Sequence, residues 1–446
     1  MTGLKEKVID NKLCSGCGAC SVVNDAIKIS FDETGQLIAA YTELNKVASE
    51  EKVCPFSDKS MNENSIQEKL FKNHKYAKYV GYYLNCFIGH VEEGEFRKLG
   101  ASGGFGRWLN YKLLENKAVD YVIHVAPSSS GIFEYQITNK TSELLNSARS
   151  AYYPVTMESA LKFVLENEAR FSITALPCFS KALRNLAEVE PKIQERIKFV
   201  IGIVCGHLKT KEFAESLALQ VGVQPAELKN VDFRYKIEGK RANEKGFVAY
   251  RKDGTITEPV NTRELIGGDW GHGLFKYKAC DYCDDVLAET ADIAIGDAWL
   301  PEYMTDTKGK SILVVKNKYI LDILQNSFST KHIIIQEVTP DKIVKSQAGG
   351  IRHRNAGLEQ RLFDDIRDGK FVPRKRVKPK KQLDPSVRYV TQFRVSSREN
   401  SHIIFKKSLK NGLYDLSLFR KEAMKLVANA KPPLWMRLIS RLLKKF

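Results

Sequence analysis

The chain has 446 residues, 43% of them hydrophobic, with nine cysteines and a formal net charge of +17. That length provides for two or three packed domains and excludes disorder, a collagen-like repeat or a disulfide-stapled mini-fold. No apolar run reaches the ~18 residues of a membrane span, and the N-terminus lacks a signal peptide's apolar core. The chain is therefore expected in the cytoplasm, where cysteines serve metals or redox chemistry.

The charge is unevenly placed. Residues 371–446 carry 20 Lys and Arg against four acids, a net of +16, so residues 1–370 are nearly neutral at +1. A nucleic-acid enzyme lines its working cleft with such charge. A neutral body argues against that class, and nucleic acid is not an expected partner.

In chain order, residues 1–60 are short and cysteine-rich, with strand-like pieces at Ile27-Lys-Ile-Ser and Gln36-Leu-Ile-Ala. Residues 61–75 are polar and helix-prone, as a linker would be. Residues 76–360 alternate apolar strand-like runs with amphipathic helices, an α/β pattern. The buried strands are expected at Tyr121-Val-Ile-His-Val, Phe171-Ser-Ile-Thr-Ala-Leu, Phe199-Val-Ile-Gly-Ile-Val, Asp292-Ile-Ala-Ile and Ile312-Leu-Val-Val. A helical pattern from Ser180 to Ala187 makes the second and third of these a βαβ unit with parallel strands. The fold class expected is α/β, mixed α+β overall, with a small domain preceding an α/β domain whose sheet is partly parallel.

Cys14-x2-Cys17-x2-Cys20, followed remotely by Cys54-Pro55, is the strongest chemical signal. A 4Fe-4S cube takes one thiolate per iron, and two-residue spacings let three cysteines wrap one face while a remote Cys-Pro supplies the fourth. Gly16 and Gly18 suit close backbone approach. Zinc sites usually pair two CxxC-like halves, which this spacing fits poorly. Two-cluster ferredoxins carry a further cysteine four residues after the third, where this chain has Asn24, so one cluster is expected. The region resembles a bacterial-type ferredoxin domain.

Cys178 and Cys205 follow the two strands of the βαβ unit, so both should reach the C-terminal sheet edge, where α/β proteins bind ligands. With Cys280-Asp-Tyr-Cys283 they make a second four-thiolate set, for which zinc, a redox dithiol and a cluster are all open readings. Cys86 is left over, as a buried free thiol. Gly100-Ala-Ser-Gly-Gly104 opens a helix bearing Phe105, Trp108, Leu109 and Leu113 on one face. It reads either as a Gly-rich helix start capped by Ser102 or as a diphosphate pocket.

These segments lie in a consistent order with Ala175-Leu-Pro-Cys-Phe179, Ile201-Gly-Ile-Val-Cys-Gly206, Asp232-Phe-Arg-Tyr-Lys236 and Ala291-Asp-Ile-Ala-Ile-Gly-Asp-Ala-Trp299. Together, over about residues 10–355, they resemble the family of coenzyme F(420) hydrogenase and dehydrogenase beta subunits. That family includes chlorophyll-modifying reductases and bacterial proteins associated with surface-polysaccharide synthesis. The resemblance implies FAD, rather than FMN, beside a 4Fe-4S cluster on Cys178, Cys205, Cys280 and Cys283. It implies flavin-phosphate contacts at Gly100, Ser102, Gly103 and Gly104. The chain departs from the family in reading Cys205-Gly206-His207 where Cys-His-Gly is frequent.

Asp297 and Trp299 are candidates to line the flavin ring, with a helix cap and a core position as their ordinary alternatives. Arg234 and Lys236 are candidate anion ligands or solvated surface residues. His207, His272 and Asp297 are the candidate proton donors.

The function expected is an iron–sulfur flavoprotein oxidoreductase. It would take single electrons from a ferredoxin-like donor through two 4Fe-4S clusters to FAD, which reduces an organic substrate, with surface-polysaccharide biosynthesis as a setting. The alternatives are an electron-transfer subunit serving a partner enzyme without a small substrate, and a deazaflavin-linked oxidoreductase.

The basic C-terminal segment closes with Pro432-Pro-Leu-Trp-Met-Arg-Leu-Ile-Ser-Arg-Leu-Leu-Lys-Lys-Phe446. Coiled as a helix, it sets Leu434, Trp435, Leu438, Ile439, Leu442 and Leu443 on one face and Arg437, Arg441, Lys444 and Lys445 opposite. Such a helix suits the surface of an anionic membrane, here its inner face, or a protein partner.

Overall fold

The computed structural model describes residues 3–43, 48–128, 131–146 and 150–443. Near the N-terminus, β1 (Ile27–Phe31) and β2 (Leu37–Tyr41) form an antiparallel hairpin with Ile27 opposite Tyr41. Ile27 and Ala39 point inward and are buried, the two-residue period of a half-buried strand. The stretch read as a linker holds a packed helix, α1 (Glu63–Phe71). Asn62 caps it by accepting from the Ser65 amide at 3.0 Å, and Ile66 and Phe71 are buried.

Eight strands make the central sheet: β3 (Asn85–Val91), β4 (Tyr121–Pro127), β5 (Phe133–Thr138), β6 (Phe171–Ala175), β7 (Ile197–Ile203), β8 (Ile293–Asp297), β9 (Ser311–Val315) and β10 (Ile333–Glu337). Their order is β10-β3-β9-β8-β7-β6-β4-β5. The four central strands β8, β7, β6 and β4 run parallel, and the flanking pairs are antiparallel. β7 and β9 are apolar almost without alternation because helices and loops cover both faces. The leftover Cys86 lies buried on β3.

Helix α2 (Phe105–Glu115) buries Phe105, Trp108, Leu109 and Leu113, the i, i+3, i+4 face read from the sequence. Helix α3 (Pro177–Ala187) connects β6 to β7 and begins with proline in its first turn, where the missing amide costs nothing. After β10 come α4 (Ala348–Arg354) and α5 (Ala356–Arg367).

The basic segment folds onto this body. Phe371, Val372 and Val377 pack on the main core, Lys375 pairs with Asp284 at 3.4 Å, and Arg376 reaches Glu63, Asp284 and Glu289 within 3.5 Å. Helix α6 (Pro385–Lys407) follows an Asp384 cap, and α7 (Leu416–Ala428) adds Phe419 and Ala423 to a core shared with Phe405 and Phe275. The last helix, α8 (Leu434–Leu443), is tied down where the Ser440 hydroxyl donates to Asp384 at 2.6 Å. Its outer face, with Leu434, Trp435, Leu438 and Leu442, is exposed. Lys444 and Lys445 lie outside the described residues. Among the described residues no helix is long and apolar enough to cross a membrane.

Candidate functional site

The first cysteine set sits on a turn that only glycine can make. Gly16 and Gly18 have φ of +71° and +87°, and a Cβ on Gly18 would stand 2.5 Å from Thr156 Oγ1 and 2.8 Å from the Glu158 amide. The turn brings Cys14, Cys17, Cys20 and Cys54 around one small cavity walled by Leu4, Val8, Ile29 and Pro55. The Gly16 and Ala39 amides donate to Cys14 Sγ at 3.4 and 3.3 Å. Burial pushes the Cys17 thiol up to about 12 and raises Cys14, Cys20 and Cys54 as well. Four buried thiols with few other polar groups are costly to ionise alone, and metal bonding is what compensates a thiolate there. Among the described residues no three such side chains close on a single-ion site. The four thiols line one shared cavity.

The second set forms as the βαβ geometry requires. β6 and β7 end in register, Ala175 beside Gly202, so Cys178 in the first turn of α3 and Cys205 just past β7 emerge at one sheet edge. A short turn, Lys278–Asp281, supplies Cys280, and Cys283 follows it. The four are mutual neighbours: burial, then the nearness of Cys283, Cys205 and Cys280, raises the Cys178 thiol, and burial lifts Cys280 to about 12. The Leu208 amide donates to Cys280 Sγ at 3.1 Å and Arg354 Nε to Cys283 Sγ at 3.4 Å. Around them cations exceed anions. Lys276, Arg361 and Arg398 share the single carboxylate of Asp281, and Arg354, 1% exposed, keeps a buried Nη1 without a partner. Thiolates bearing an anionic cluster fit that surplus.

The two sets adjoin. Cys17 of the first contributes to raising Cys178 of the second. Tyr277 stands between Cys14 and Cys280, its hydroxyl accepting from the Leu37 amide at 2.7 Å.

Beside the second set opens a cavity of about 290 Å³ at the C-terminal ends of the parallel strands, lined by Gly100, Ser102, Gly104, Thr174, Ile203, Cys205, His207 and Asp297 among others, while Gly103 lies behind its wall. Gly103 allows the loop to approach β3 and β9 closely: a Cβ would meet Gly89 O at 2.7 Å and the Ser311 amide at 2.8 Å. The Ser102 hydroxyl donates to Lys310 O at 2.7 Å and the Gly103 amide to Ser311 Oγ at 3.1 Å. Those protons are therefore used within the fold, leaving the first turn of α2 to donate at this end of the cavity.

Asp297 lines the cavity with both carboxylate oxygens held by Arg234 at 2.8 and 2.9 Å, so it does not cap the next segment. Arg234 is buried rather than solvated, and lies 5.5 Å from the Trp299 ring. Trp299 lines the adjoining cleft and not the cavity itself. Lys236 donates to the Arg97 carbonyl. His207 is buried, packs 4.4 Å from the Trp270 ring, and burial drives its ring well toward the neutral form. His272 lines neither space. Tyr277, Trp270, Arg354 and His353 were not singled out by the sequence. None has a spacing signature, and only His353 and Arg354, within Arg352-His353-Arg354, carry even a compositional one.

The fold is α/β, with two four-cysteine sets adjoining at the C-terminal edge of its sheet. Residues 86–162 match the N-terminal region of the family described as coenzyme F420 hydrogenase/dehydrogenase, beta subunit, and residues 168–341 match its C-terminal region. The chain belongs to this family of coenzyme F420 hydrogenase/dehydrogenase beta subunits. It is 21% identical over 70% of its length to a coenzyme F420-dependent sulfite reductase of Methanocaldococcus jannaschii, of which it spans 45%. It is 22% identical over 62% of its length to the beta subunit of coenzyme F420 hydrogenase of Methanococcus voltae, spanning 98% of that protein. It is 19% identical over 66% of its length to a subunit of the F(420)H(2) dehydrogenase of Methanosarcina mazei, spanning 78% of it. Among solved structures, a chain of the F420-reducing [NiFe] hydrogenase complex from Methanosarcina barkeri aligns with a TM-score of 0.49 at 17% identity, over 65% of this chain and 96% of that one.

Proposed function

We propose that this chain is an iron–sulfur flavoprotein that takes single electrons from a small donor such as ferredoxin and reduces an organic substrate. The observation that carries the reading is the contiguity of two four-cysteine sets, buried except for the half-buried Cys14, Cys178 and Cys283, with one cavity: Cys17 lies near Cys178, and Cys205 lines the cavity wall. Cys14, Cys17, Cys20 and Cys54 would hold one 4Fe-4S cluster in a ferredoxin-type domain, and Cys178, Cys205, Cys280 and Cys283 a second. FAD would occupy the cavity, its diphosphate toward Gly100–Gly104. When bound, such groups supply one-electron relay and the exchange from single electrons to a pair.

The chain's own residues prepare that chemistry. The Gly16, Ala39 and Leu208 amides and Arg354 place hydrogen-bond donors on the sulfurs, which stabilises added negative charge. The Arg234–Asp297 clamp fixes the cavity floor. Leu176, Leu208 and Tyr277 shield Cys178 and Cys280 from water.

The names of the relatives favour a second reading, in which the electron partner is the deazaflavin coenzyme or a larger enzyme to which this chain is a subunit. A setting in surface-polysaccharide biosynthesis rests on the resemblance alone. Association with the inner face of a membrane is supported by the exposed apolar face of α8 beside Arg437 and Arg441.

Anaerobic purification with iron, sulfide and flavin counts tests the proposal. About eight iron atoms and one flavin per chain are expected, and about four iron atoms would remove the second cluster. Bleaching of the flavin by the reduced deazaflavin coenzyme, and not by ferredoxin, would select the second reading.

A further inference from the structure

Next to the flavin-sized cavity lies a larger cleft of about 900 Å³. The two share Tyr152, Cys205, His207, Trp270 and Asp297 as a common wall. One side of the cleft comes from the region of α4 and α5, and the other from the C-terminal segment, including Val387, Val390, Thr391 and Arg394 of α6 and Ser440 of α8. The family matches end at residue 341, so most of these walls lie beyond them.

The cleft is built for negative charge. Five charged side chains besides histidine line it: Lys345, Arg352, Arg394, Asp297 and Asp384. Both carboxylates are occupied, Asp297 by Arg234 and Asp384 by the Ser386 amide and Ser440 hydroxyl. Among the described residues none of the three cations makes a salt bridge. Three nitrogens on these walls are buried without a hydrogen-bond partner: Arg394 Nε, His353 Nε2 and His207 Nε2. Both histidine rings belong to residues more than nine-tenths buried. A buried donor is costly to leave unmade, so an unpaired set converging on one cleft marks where a ligand belongs. At Gly349 a Cβ would find open space, so the fold itself does not require glycine there and room is left for a guest.

We propose that this cleft is the substrate site and that it takes an organic phosphate. Three unpaired cations match a multiply charged group better than a single carboxylate, and guanidinium forks suit phosphate oxygens. Arg394, from inside, and Arg352, at the rim, hold the phosphate. The reducible part points to the common wall at Cys205 and Asp297, and Trp299 offers an exposed ring beside it. A cleft of this volume suits a ligand of nucleotide size. The inference rests on the proposed reductase for what becomes of the bound molecule, but not for the binding.

The test is calorimetric titration of the full chain, purified anaerobically, with inorganic pyrophosphate as probe and acetate as control. Wild type binds pyrophosphate and not acetate. Arg394→Gln and Arg352→Gln each weaken binding about tenfold or more, as loss of a charged fork does. Lys431→Gln, exposed and outside the cleft, leaves it unchanged. Arg352 is exposed at the rim, so its variant reports even if Arg394→Gln fails to fold. Absence of pyrophosphate binding, unchanged affinity in Arg352→Gln, or equal weakening in Lys431→Gln overturns the assignment. Iron and flavin counts on the same samples separate the two readings. Full cofactor content with no binding overturns the cleft alone, whereas binding through Arg352 without cofactors overturns the proposed redox centres alone.

Discussion

Arg354 shows how much one side chain can tune. Buried beside Cys283 and Cys205, it donates to Cys283 at 3.4 Å and brings a full positive charge to the sulfurs. Positive charge favours the reduced, more negative state of an iron–sulfur centre. Arg354→Gln should therefore lower the reduction potential of one of the two proposed clusters and leave the other in place, as an anaerobic redox titration followed by electron paramagnetic resonance would show. Equal potentials in variant and wild type would remove Arg354 from this role. Gly18 offers a harsher test. Gly18→Ala drives a Cβ into Thr156 and the Glu158 backbone at a left-handed φ, so iron content should fall by about half. His124 gives a pH signature. Burial first, then Arg107, lowers it to about 4 against about 6.5 unfolded. Between those values the unfolded chain binds the extra proton, so stability present above pH 6.5 is lost as pH falls toward 4. At pH 5 the loss is about 2 kcal/mol. Denaturation midpoints at pH 7 and 5 should converge in His124→Gln.

Among the elements, legibility depended on whether the signal was local. β4, β6, β7, β8 and β9 stood out as apolar runs, and α3 as a helical pattern between two of them, because continuous burial leaves continuous apolar sequence. β10, an edge strand with only Ile333 buried, carries three isoleucines before Gln336 and Glu337, too short a run to mark a strand, and no pattern said that β3 and β9 run antiparallel to their neighbours in the sheet. The cysteine sets were legible for the same reason: tight spacing for the first, and strand ends for Cys178 and Cys205. The partners of the sulfurs were not, since the Leu208 amide and Arg354 meet them only through tertiary folding. The apolar stripe of α8 was legible from its period, and its exposed face is the one the proposed membrane contact would use. Replacing Leu438 and Leu442 with Asp should abolish co-sedimentation with phosphatidylglycerol vesicles. Retained binding in that variant would dismiss α8 as the contact.

For the whole molecule, the +16 segment reads differently once folded. Arg376 joins Glu63, Asp284 and Glu289, and Arg398 joins Asp281, so part of the basic excess is structural. No local pattern could have said so, because the partners are separated by up to 313 residues along the chain. Removing one member of a buried set strands the others. Arg376→Ala should cost about 3–5 kcal/mol, read as a drop in the chemical-denaturation midpoint. A variant truncated at residue 370 should be worse, since it also loses Phe405 and Phe419 from the core around Phe275.

The seam between the N-terminal unit and the body has a consequence for timing. The Leu37 amide is caught by the Tyr277 hydroxyl at 2.7 Å, the Met157 amide by Cys17 O at 3.1 Å and the Lys211 amide by Gly35 O at 2.8 Å. A carrier domain that swings between stations slows as the solvent thickens, because its travel is diffusive. A unit stitched at three points has nowhere to travel. Electron transfer between the two proposed clusters should then run at the same speed in sucrose or glycerol as in buffer, and only encounter with the proposed external donor should feel the viscosity.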